Sequence, residues 1–496
     1  MSMELRQLLA ALEPGYQVRG PLDLSIDRIT CDSRSSGPGA LFVAIRGGEE
    51  QDRHQFVPDA LGRGVGAVVV EDDLPAAGAT QIRVANCRRS LALLAGELYG
   101  HADRELTAVG ITGTKGKTTT AFLVQQMLGV AQRPCGYVGT LGCIVHRQLM
   151  KNLRNTTPEA SELHRLFRAM REAGKTAVAV EVSSHALALD RVAGVRFAVG
   201  VFTNLSRDHL NFHQTSENYF DAKARLFAQS EWAVINLDDE AGRRLAASLP
   251  IPVMGFGRAP DATVRLRQYQ RTAEGMVLRL ETPRGEEVVS SRLTGGFNCH
   301  NILAAFSCGL ALELPPEAMS SGIAALDQVP GRFERIDLGQ DFEVIVDYAH
   351  TPASLETVLQ TARELTRNRL TCVFGCGGDR DRGKRPLMGE IAGALADRVI
   401  ITSDNPRSEV PEAIIAEIAA GLRDRNRAEL VADRLQAIER ALASSLPGDV
   451  VVIAGKGHEA EQIFADKTIE FDDRQVASQV LRDLLGSGAP VPAGRH

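Results

Sequence analysis

Gly110-Ile111-Thr112-Gly113-Thr114-Lys115-Gly116-Lys117-Thr118-Thr119-Thr120 is the stretch that decides the fold of this 496-residue chain. It lies between an apolar-leaning run, Leu106 to Thr112, and a helical pattern that begins near Thr118. Glycines at a strand-to-helix turn let backbone N–H groups face a polyphosphate, and the new helix adds the positive end of its dipole. Lys117 is placed to reach terminal phosphates and Thr118 to ligate Mg²⁺. The spacing departs from the strict nucleotide-triphosphatase form, which wants glycine five positions before Gly116, where this chain has Ile111. A flexible surface loop of the same composition is the alternative.

Composition sets the class around this loop. Hydrophobic residues make up 44% of the chain and charged residues 24%, and the net charge is −6, so there is no global basic field for nucleic acid or an anionic membrane. No apolar run is long enough to span a bilayer, and no long apolar segment follows the N-terminal residues as a signal peptide requires. The eight cysteines include no Cys-x-x-Cys pair, which predicts reduced, mostly buried thiols and favours the cytoplasm.

The length predicts about three domains. Residues 1–100 open with Leu5, Leu8, Leu9 and Leu12 at helical spacing. They continue through Ile29-Thr30-Cys31-Asp32-Ser33-Arg34, Pro38-Gly39 and Leu41 to Ile45, ending at Gly47-Gly48, which reads as strand, turn, strand. A further strand over Val65 to Val70 and a helix over Ser90 to Tyr99 complete a compact α/β unit, with Asp32-Ser33-Arg34 read as an Asx-type turn. Residues 101–330 carry the phosphate loop and apolar runs that end in polar tips: Thr176 to His185, Ala198 to Asn204 and Trp232 to Asn236. Such runs alternating with helices predict a doubly wound parallel sheet. Ligands of that architecture bind beyond the carboxyl ends of the strands, which groups Glu181, Ser183, His185, Thr203 and Asn204 with the loop. Thr263 to Leu293 reads as a β-rich excursion. The turn from Val329 to Arg332 is the expected hinge. Residues 331–496 repeat the device in Glu343 to His350, Thr371 to Gly375, Val399 to Asp404 and Val450 to Glu459, which predicts a second Rossmann-like unit, with a disordered tail from Gly486.

Two further sets of residues carry chemistry. Glu181, His209 and Asp208 are the metal candidates near the loop, although Mg²⁺ prefers oxygen and His209 taken singly reads as a hydrogen-bonded loop histidine. Lys223, in the helical pattern Tyr219 to Phe227, reads on its own as a solvated helix lysine. In the third unit Gly375 to Pro386 is a glycine-rich, arginine-loaded turn, and Asp404-Asn405-Pro406-Arg407 presents acceptors beside a guanidinium, a pairing suited to a zwitterion. No Asn-Lys-x-Asp guanine signature and no Gly-x-Ser-x-Gly elbow is present. Phosphoryl transfer from ATP to a small anionic substrate, with a second substrate on the third unit, is the reaction class that remains.

Together these residues resemble the Mur ligase family, the ATP-dependent amino-acid ligases of peptidoglycan precursor synthesis, across nearly the whole chain. Gly113-Thr114-Lys115-Gly116-Lys117-Thr118 is similar to that family's own phosphate loop. Asp32-Ser33-Arg34, Asn155-Thr156-Thr157-Pro158, Glu181 to His185 and the loop at 375–386 resemble the member that adds the third peptide residue. The resemblance implies a uridine nucleotide near Ser33, and a muramoyl-dipeptide held by Asn155, Thr156, Thr157, Ser183 and Arg191. It implies ATP on Gly113, Thr114, Lys115, Gly116, Lys117, Thr118, Thr119, Asn298, Asn301, Arg332 and Asp347. Mg²⁺ would be served by Thr118, Glu181, His209 and Lys223, the last as a carbamate, with Lys117, Glu181, His209 and Lys223 the catalytic set.

Asp404-Asn405-Pro406-Arg407 matches the form in members that add meso-diaminopimelate rather than lysine, and the resemblance adds Arg380, Gly455 and Glu459 to that receptor. A site built for the second amino-acid head leaves polar groups unpaired when lysine binds, which discriminates by roughly 10⁴. Two positions depart from the family pattern, Asn211 where Asp is common and Leu189 where Gln is expected. The implied reaction phosphorylates the D-glutamate γ-carboxylate of a UDP-muramoyl-dipeptide, and the amine of diaminopimelate then displaces phosphate, with closure of hinged units excluding water. The lysine-adding relative, a folylpolyglutamate-type ligase and a regulatory ATP-binding protein are the alternatives.

Overall fold

The computed structural model describes residues 2–47, 52–74, 78–150, 153–272, 274–424 and 428–486. Gly48 and residues 487–496, which the sequence reads as a turn and a tail, lie outside the described residues. The chain divides into two compact units, Met1–Ser291 with Asn298–Leu326, and Arg292–Phe297 with Asp327–His496. No helix among the described residues is long and apolar enough to cross a membrane.

The first unit contains two large sheets. The N-terminal one has five strands in the order Gln17–Arg19, Thr80–Arg83, Ala67–Val70, Ala40–Val43 and Arg28–Thr30, parallel except for the first. Asp32 does form the expected Asx cap, accepting from the Arg34 N–H at 3.0 Å ahead of the short 3-10 turn Ser33–Ser35. That turn leads into a parallel crossover instead of a hairpin. The N-terminal helix is shorter than its leucine spacing predicts. One α turn, Leu5–Leu8, passes into a 3-10 turn, Leu9–Ala11, and stops before Pro14, which disfavours helical backbone at the preceding residue. All four leucines are nevertheless buried.

Thr107–Thr112, the strand that feeds the phosphate loop, lies inside an eleven-stranded sheet. Ala177–Glu181 and Phe197–Phe202 pair with it in parallel on either side, followed outward by Cys135–Gly139 on one flank and Ser230–Asn236 and Val253–Gly257 on the other. Both faces are covered, which is why these strands read as continuous apolar runs. Leu163, Phe167 and Met170 of helix Ala160–Glu172 pack in one core with Val178, Val180 and Phe197, while helix Lys117–Val130 packs with helices Asn298–Ala311 and Pro316–Ala324. Each fully buried Val, Leu or Phe contributes about 1.5–3 kcal/mol, so these layers fix the loop's position. The excursion at 263–293 is β-rich as expected, yet it is no separate element. Val264–Thr272 pairs in parallel with Val253–Gly257 and then meanders antiparallel through Gly275–Thr282 and Gly285–Ser291, extending the same sheet.

The connections leaving Thr107–Thr112 and Phe197–Phe202 run to opposite flanks of the sheet, so these neighbours bound a topological switch point, where open α/β sheets bind ligands. The second unit has a six-stranded sheet in the order Glu334–Arg335, Glu343–Asp347, Val450–Ala454, Leu370–Phe374, Arg398–Thr402 and Ala428–Val431, parallel after the first. Helices Pro352–Leu365, Lys384–Leu395 and Pro411–Ala419 contribute to one core, and Arg434–Ala443 with Asp473–Gly486 to the other. Gly486 thus ends a helix.

Candidate active site

Two glycines shape the phosphate loop. Gly116 has φ +84°, and a Cβ there would run into Asn301 Oδ1; Gly113 has φ +142°, and a Cβ would run into Thr203 Oγ1. The loop is then tied to the adjacent strand tip. Thr114 N–H donates to the Asn204 carbonyl at 2.9 Å, Lys115 N–H to Asn204 Oδ1 at 3.0 Å, and Thr203 Oγ1 to the Lys115 carbonyl at 2.6 Å. Lys117 arches back over the loop, its Nζ donating to the carbonyls of Gly113 at 2.8 Å and Thr114 at 3.1 Å. Thr118 and Thr119 are buried in the first helical turn.

Glu181, at the carboxyl end of its strand, is fully buried. Its carboxylate accepts from Thr118 Oγ1 at 3.0 Å, Tyr137 OH at 2.5 Å, and the Thr140 N–H and hydroxyl at 3.1 and 3.0 Å. A charge out of water requires such a shell. The hydroxyl expected to face Mg²⁺ and the carboxylate expected to share that ion are therefore in direct contact.

Lys223 is not the solvated lysine that its helix pattern taken alone would give. It is 1% exposed on helix Ser216–Ala224, its Nζ donates to the Gly113 carbonyl at 2.9 Å, and it sits 4.4 Å from the centre of the Tyr219 ring. Burial first, and then the charge of Lys117, hold its amine well below the ordinary lysine range. Tyr219 joins this group to its surroundings, with its hydroxyl 3.2 Å from Thr114 Oγ1 and its ring 6.2 Å from that of His209. His209 adopts a left-handed backbone, φ 52°, and its ring lies 4.8 Å from His185. Burial, reinforced by His209, brings the imidazoles of His185 and His213 down to about 4. Among the described residues no three His, Cys, Asp or Glu side chains form a metal-holding group.

The expected dipeptide contacts form one network. Thr157 Oγ1 donates to the Glu181 carbonyl at 2.7 Å and receives the Ser183 N–H at 3.0 Å, while Thr156 and Thr140 hydroxyls meet at 3.1 Å. Arg191 donates to the Thr157 carbonyl at 3.1 Å and pairs with Glu159 at 3.0 Å. Glu159 also faces Arg88 at 3.6 Å, a link between the two sheets of this unit that the sequence did not announce. Asn155 is half-buried just ahead, and Ser33 is buried in its 3-10 turn. Arg34 pulls the Asp32 carboxyl down to about 2. Asn298 and Asn301 are bonded to each other at 2.8 Å on the helix facing the loop. Of the two departures from the family pattern, Asn211 is exposed and Leu189 is half-buried as the cap residue after helix Ser184–Ala188.

In the second unit the expected receptor residues converge on one edge of the sheet. Asn405 Nδ2 donates to Glu459 Oε2 at 2.9 Å, Gly378 N–H to the Asn405 carbonyl at 2.9 Å, and Arg407, left-handed at φ 52°, to the Gly378 carbonyl at 2.8 Å. Pro406 is buried against Gly378, and Gly455, φ +117°, lies alongside Asp404. Arg380 projects into solvent with a single weak donation to the Asp379 carbonyl at 3.4 Å. Asp347 accepts from Phe333 N–H at 2.7 Å, and the Arg332 guanidinium stacks 4.7 Å from the Tyr348 ring. Several supports were invisible in the sequence. Buried Arg385 is held by Glu409 and Glu417, and buried Arg434 by Asp473 at 2.7 Å. Only the strand-tip position of Lys456, between Gly455 and Gly457, hinted at its part in the same edge.

The Mur ligase middle domain matches residues 111–309, and the Mur ligase glutamate ligase domain residues 331–457. A protein of Syntrophomonas wolfei named UDP-N-acetylmuramoyl-L-alanyl-D-glutamate–2,6-diaminopimelate ligase is 44% identical over 488 residues, covering 97% of this chain and 99% of its own. One of the same name from Solibacter usitatus is 45% identical, covering 91% and 92%. A solved structure of a ligase of that name aligns with a TM-score of 0.70 at 32% identity, over 98% of this chain and 100% of that one. The Mycobacterium tuberculosis folylpolyglutamate synthase shares the fold, with a TM-score of 0.61 at 21% identity over 80% of this chain and 95% of its own. The chain belongs to the Mur ligase family.

Proposed function

We propose that this enzyme ligates meso-diaminopimelate to the D-glutamate γ-carboxylate of UDP-N-acetylmuramoyl-L-alanyl-D-glutamate, converting ATP to ADP and phosphate, in the synthesis of peptidoglycan precursor. The observation that carries the reading is the Asp404-Asn405-Pro406-Arg407 turn, folded as an acceptor-and-guanidinium receptor in a chain similar from end to end to diaminopimelate ligases. Residues 1–100 take the uridine nucleotide near Ser33, residues 101–330 take ATP and the dipeptide, and residues 331–496 take the amino acid.

The loop at Gly113–Thr119 receives the phosphates of ATP, with Lys117 swinging from its backbone partners to the terminal phosphate; Asn298, Asn301, Arg332 and Asp347 complete the nucleotide's contacts. The donor set fits Mg²⁺, since Thr118 and Glu181 offer hard oxygens already 3.0 Å apart. Thr118, Glu181, His209 and a carbamate on Lys223 would hold the ion, which when bound neutralises charge on the phosphates. A carbamate forms when a neutral amine attacks CO₂ and loses a proton. Burial favours the neutral amine at Lys223, and the anionic product also relieves the repulsion from Lys117.

Asn155, Thr156, Thr157, Ser183 and Arg191 orient the dipeptide so that its γ-carboxylate takes the terminal phosphoryl group and becomes an acyl phosphate. The amine of diaminopimelate attacks that carbonyl, phosphate leaves, and the amine's proton is released. Positioning and charge stabilisation supply most of the acceleration. Arg407 and Arg380 take the carboxylate of the distal head, and Asp404 and Glu459 its ammonium, with Asn405 orienting Glu459 beside Gly455 and Pro406. Lysine lacks that head. The enzyme works in the cytoplasm as a monomer, where ATP and the soluble nucleotide substrate meet. A competition assay between diaminopimelate and lysine tests the assignment: diaminopimelate is ligated in large excess, and Arg407→Ala erodes the preference. Equal use of lysine by the unaltered enzyme contradicts it.

A further inference from the structure

Lys456 belongs to none of the groups assigned above, yet it is a fully buried charge at the receptor. Its ammonium is fully enclosed, donates to Asn405 Oδ1 at 3.0 Å, and stands 3.6 Å from both Asp404 Oδ1 and Glu459 Oε2. The Ile463 N–H donates to the same Asn405 oxygen at 3.0 Å. Two donors on Oδ1 leave the amide one orientation, with Nδ2 directed at Glu459. Asp404 and Glu459 are thus two carboxylates brought onto one cation.

Resting on the ligase reading above, we propose that Lys456 is a positioning residue of the amino-acid receptor. Its ammonium orients the Asn405 amide and offsets one of the two carboxylate charges, leaving the receptor a single net acceptor charge for the ammonium of the diaminopimelate distal head. Without that cation Asp404 and Glu459 repel each other, and that repulsion favours protonation of one of the pair. A protonated carboxyl is a poorer partner for an ammonium. Glu459 is the group that takes the proton, because burial and the charge of Asp404 already raise its carboxyl above the usual range. The other groups facing it are Lys456, Arg407, Tyr348, whose hydroxyl is 3.4 Å away, and Arg434. Arg434 also acts on both carboxylates electrostatically, but its own ion pair is with Asp473.

The test measures KM for diaminopimelate, ATP and the UDP-dipeptide between pH 6.5 and 9 in the full chain, for the unaltered enzyme and for Lys456→Met, Lys456→Gln and Lys456→Arg. The Met and Gln variants are expected to raise the diaminopimelate KM roughly tenfold or more at pH 7, leaving the other two KM values near their starting points. That increase shrinks as pH rises, because Glu459 loses its proton and regains its acceptor charge. Lys456→Arg keeps the cation and shows a smaller increase with no such pH dependence. The Gln variant, which retains a polar donor, carries the test if the Met variant does not fold. A neutral variant with an unchanged diaminopimelate KM, or with all three KM values raised together independently of pH, overturns the role of Lys456. Failure of the unaltered enzyme to ligate diaminopimelate at all overturns the ligase reading as well, so the two failures are distinct.

Discussion

Lys117 and Lys223 donate to the same atom, the Gly113 carbonyl oxygen, at 2.8 and 2.9 Å. Burial first, and then the charge of Lys117, hold the Lys223 amine well below the ordinary lysine range. Such a depressed amine is the form that the proposed carbamate on Lys223 requires. Lys223→Ala is expected to lower ligation by about 100-fold or more, the scale of losing a preorganised charge at a reacting centre. In ¹³C-bicarbonate, the unaltered protein should show a carbamate carbon resonance that the variant lacks; an identical spectrum from both would exclude Lys223 as the modified residue.

Gly116→Ala is expected to abolish ATP turnover. The new Cβ meets Asn301 Oδ1, and φ +84° is a left-handed conformation that alanine adopts at a cost of about 1–2 kcal/mol. Loss of ADP formation with a melting temperature lowered by only a few degrees would locate the damage in the loop. Unchanged turnover would mean that Asn301 moves freely and takes no part in shaping the nucleotide site.

The phosphate loop was legible because its geometry is encoded locally, by glycines at the positions where φ turns positive. Strand tips such as Glu181 and Asp404 were legible because a strand buried on both faces announces itself as an apolar run with an abrupt polar end. Cys135–Gly139 carries two glycines and little β-branched character, so the strand that supplies Tyr137 to Glu181 left almost no signal. The attachment of 263–293 to the central sheet depends on pairing Val264 with Phe256, a tertiary fact that local pattern does not contain. Lys223, Arg434, Arg385 and Glu159 look like surface charges in sequence, because what buries them is a partner far away in the chain.

Asp473→Ala strips the partner from fully buried Arg434, which otherwise bonds the carbonyls of Ser403 and Ala454 at 3.2 and 3.1 Å. Leaving a buried charge unpaired costs about 3–5 kcal/mol. Chemical denaturation should show a loss of that order, while replacement of both residues by apolar side chains of similar volume should recover much of it. A loss below about 1 kcal/mol would mean that water reaches the guanidinium.

Acid sensitivity in the second unit has a defined sign. Hydrogen bonding from Arg385 draws the Glu409 carboxyl down from 4.5 to about 2. A carboxylate with a depressed folded-state pKa contributes stability that is complete above its unfolded value and disappears as pH falls through the folded one. Melting temperature is therefore expected to drop between about pH 4.5 and pH 2, and Glu409→Gln should flatten that part of the profile. A variant profile parallel to that of the unaltered chain would assign the acid transition to other groups.

ADP release measured with ATP, UDP-N-acetylmuramoyl-L-alanyl-D-glutamate and meso-diaminopimelate, each omitted in turn, tests the central claim most directly. The account predicts sustained ADP formation only when all three are present, with one amide-linked tripeptide product formed per ADP. ADP formation at the same rate without diaminopimelate, or without the nucleotide-dipeptide, would contradict it.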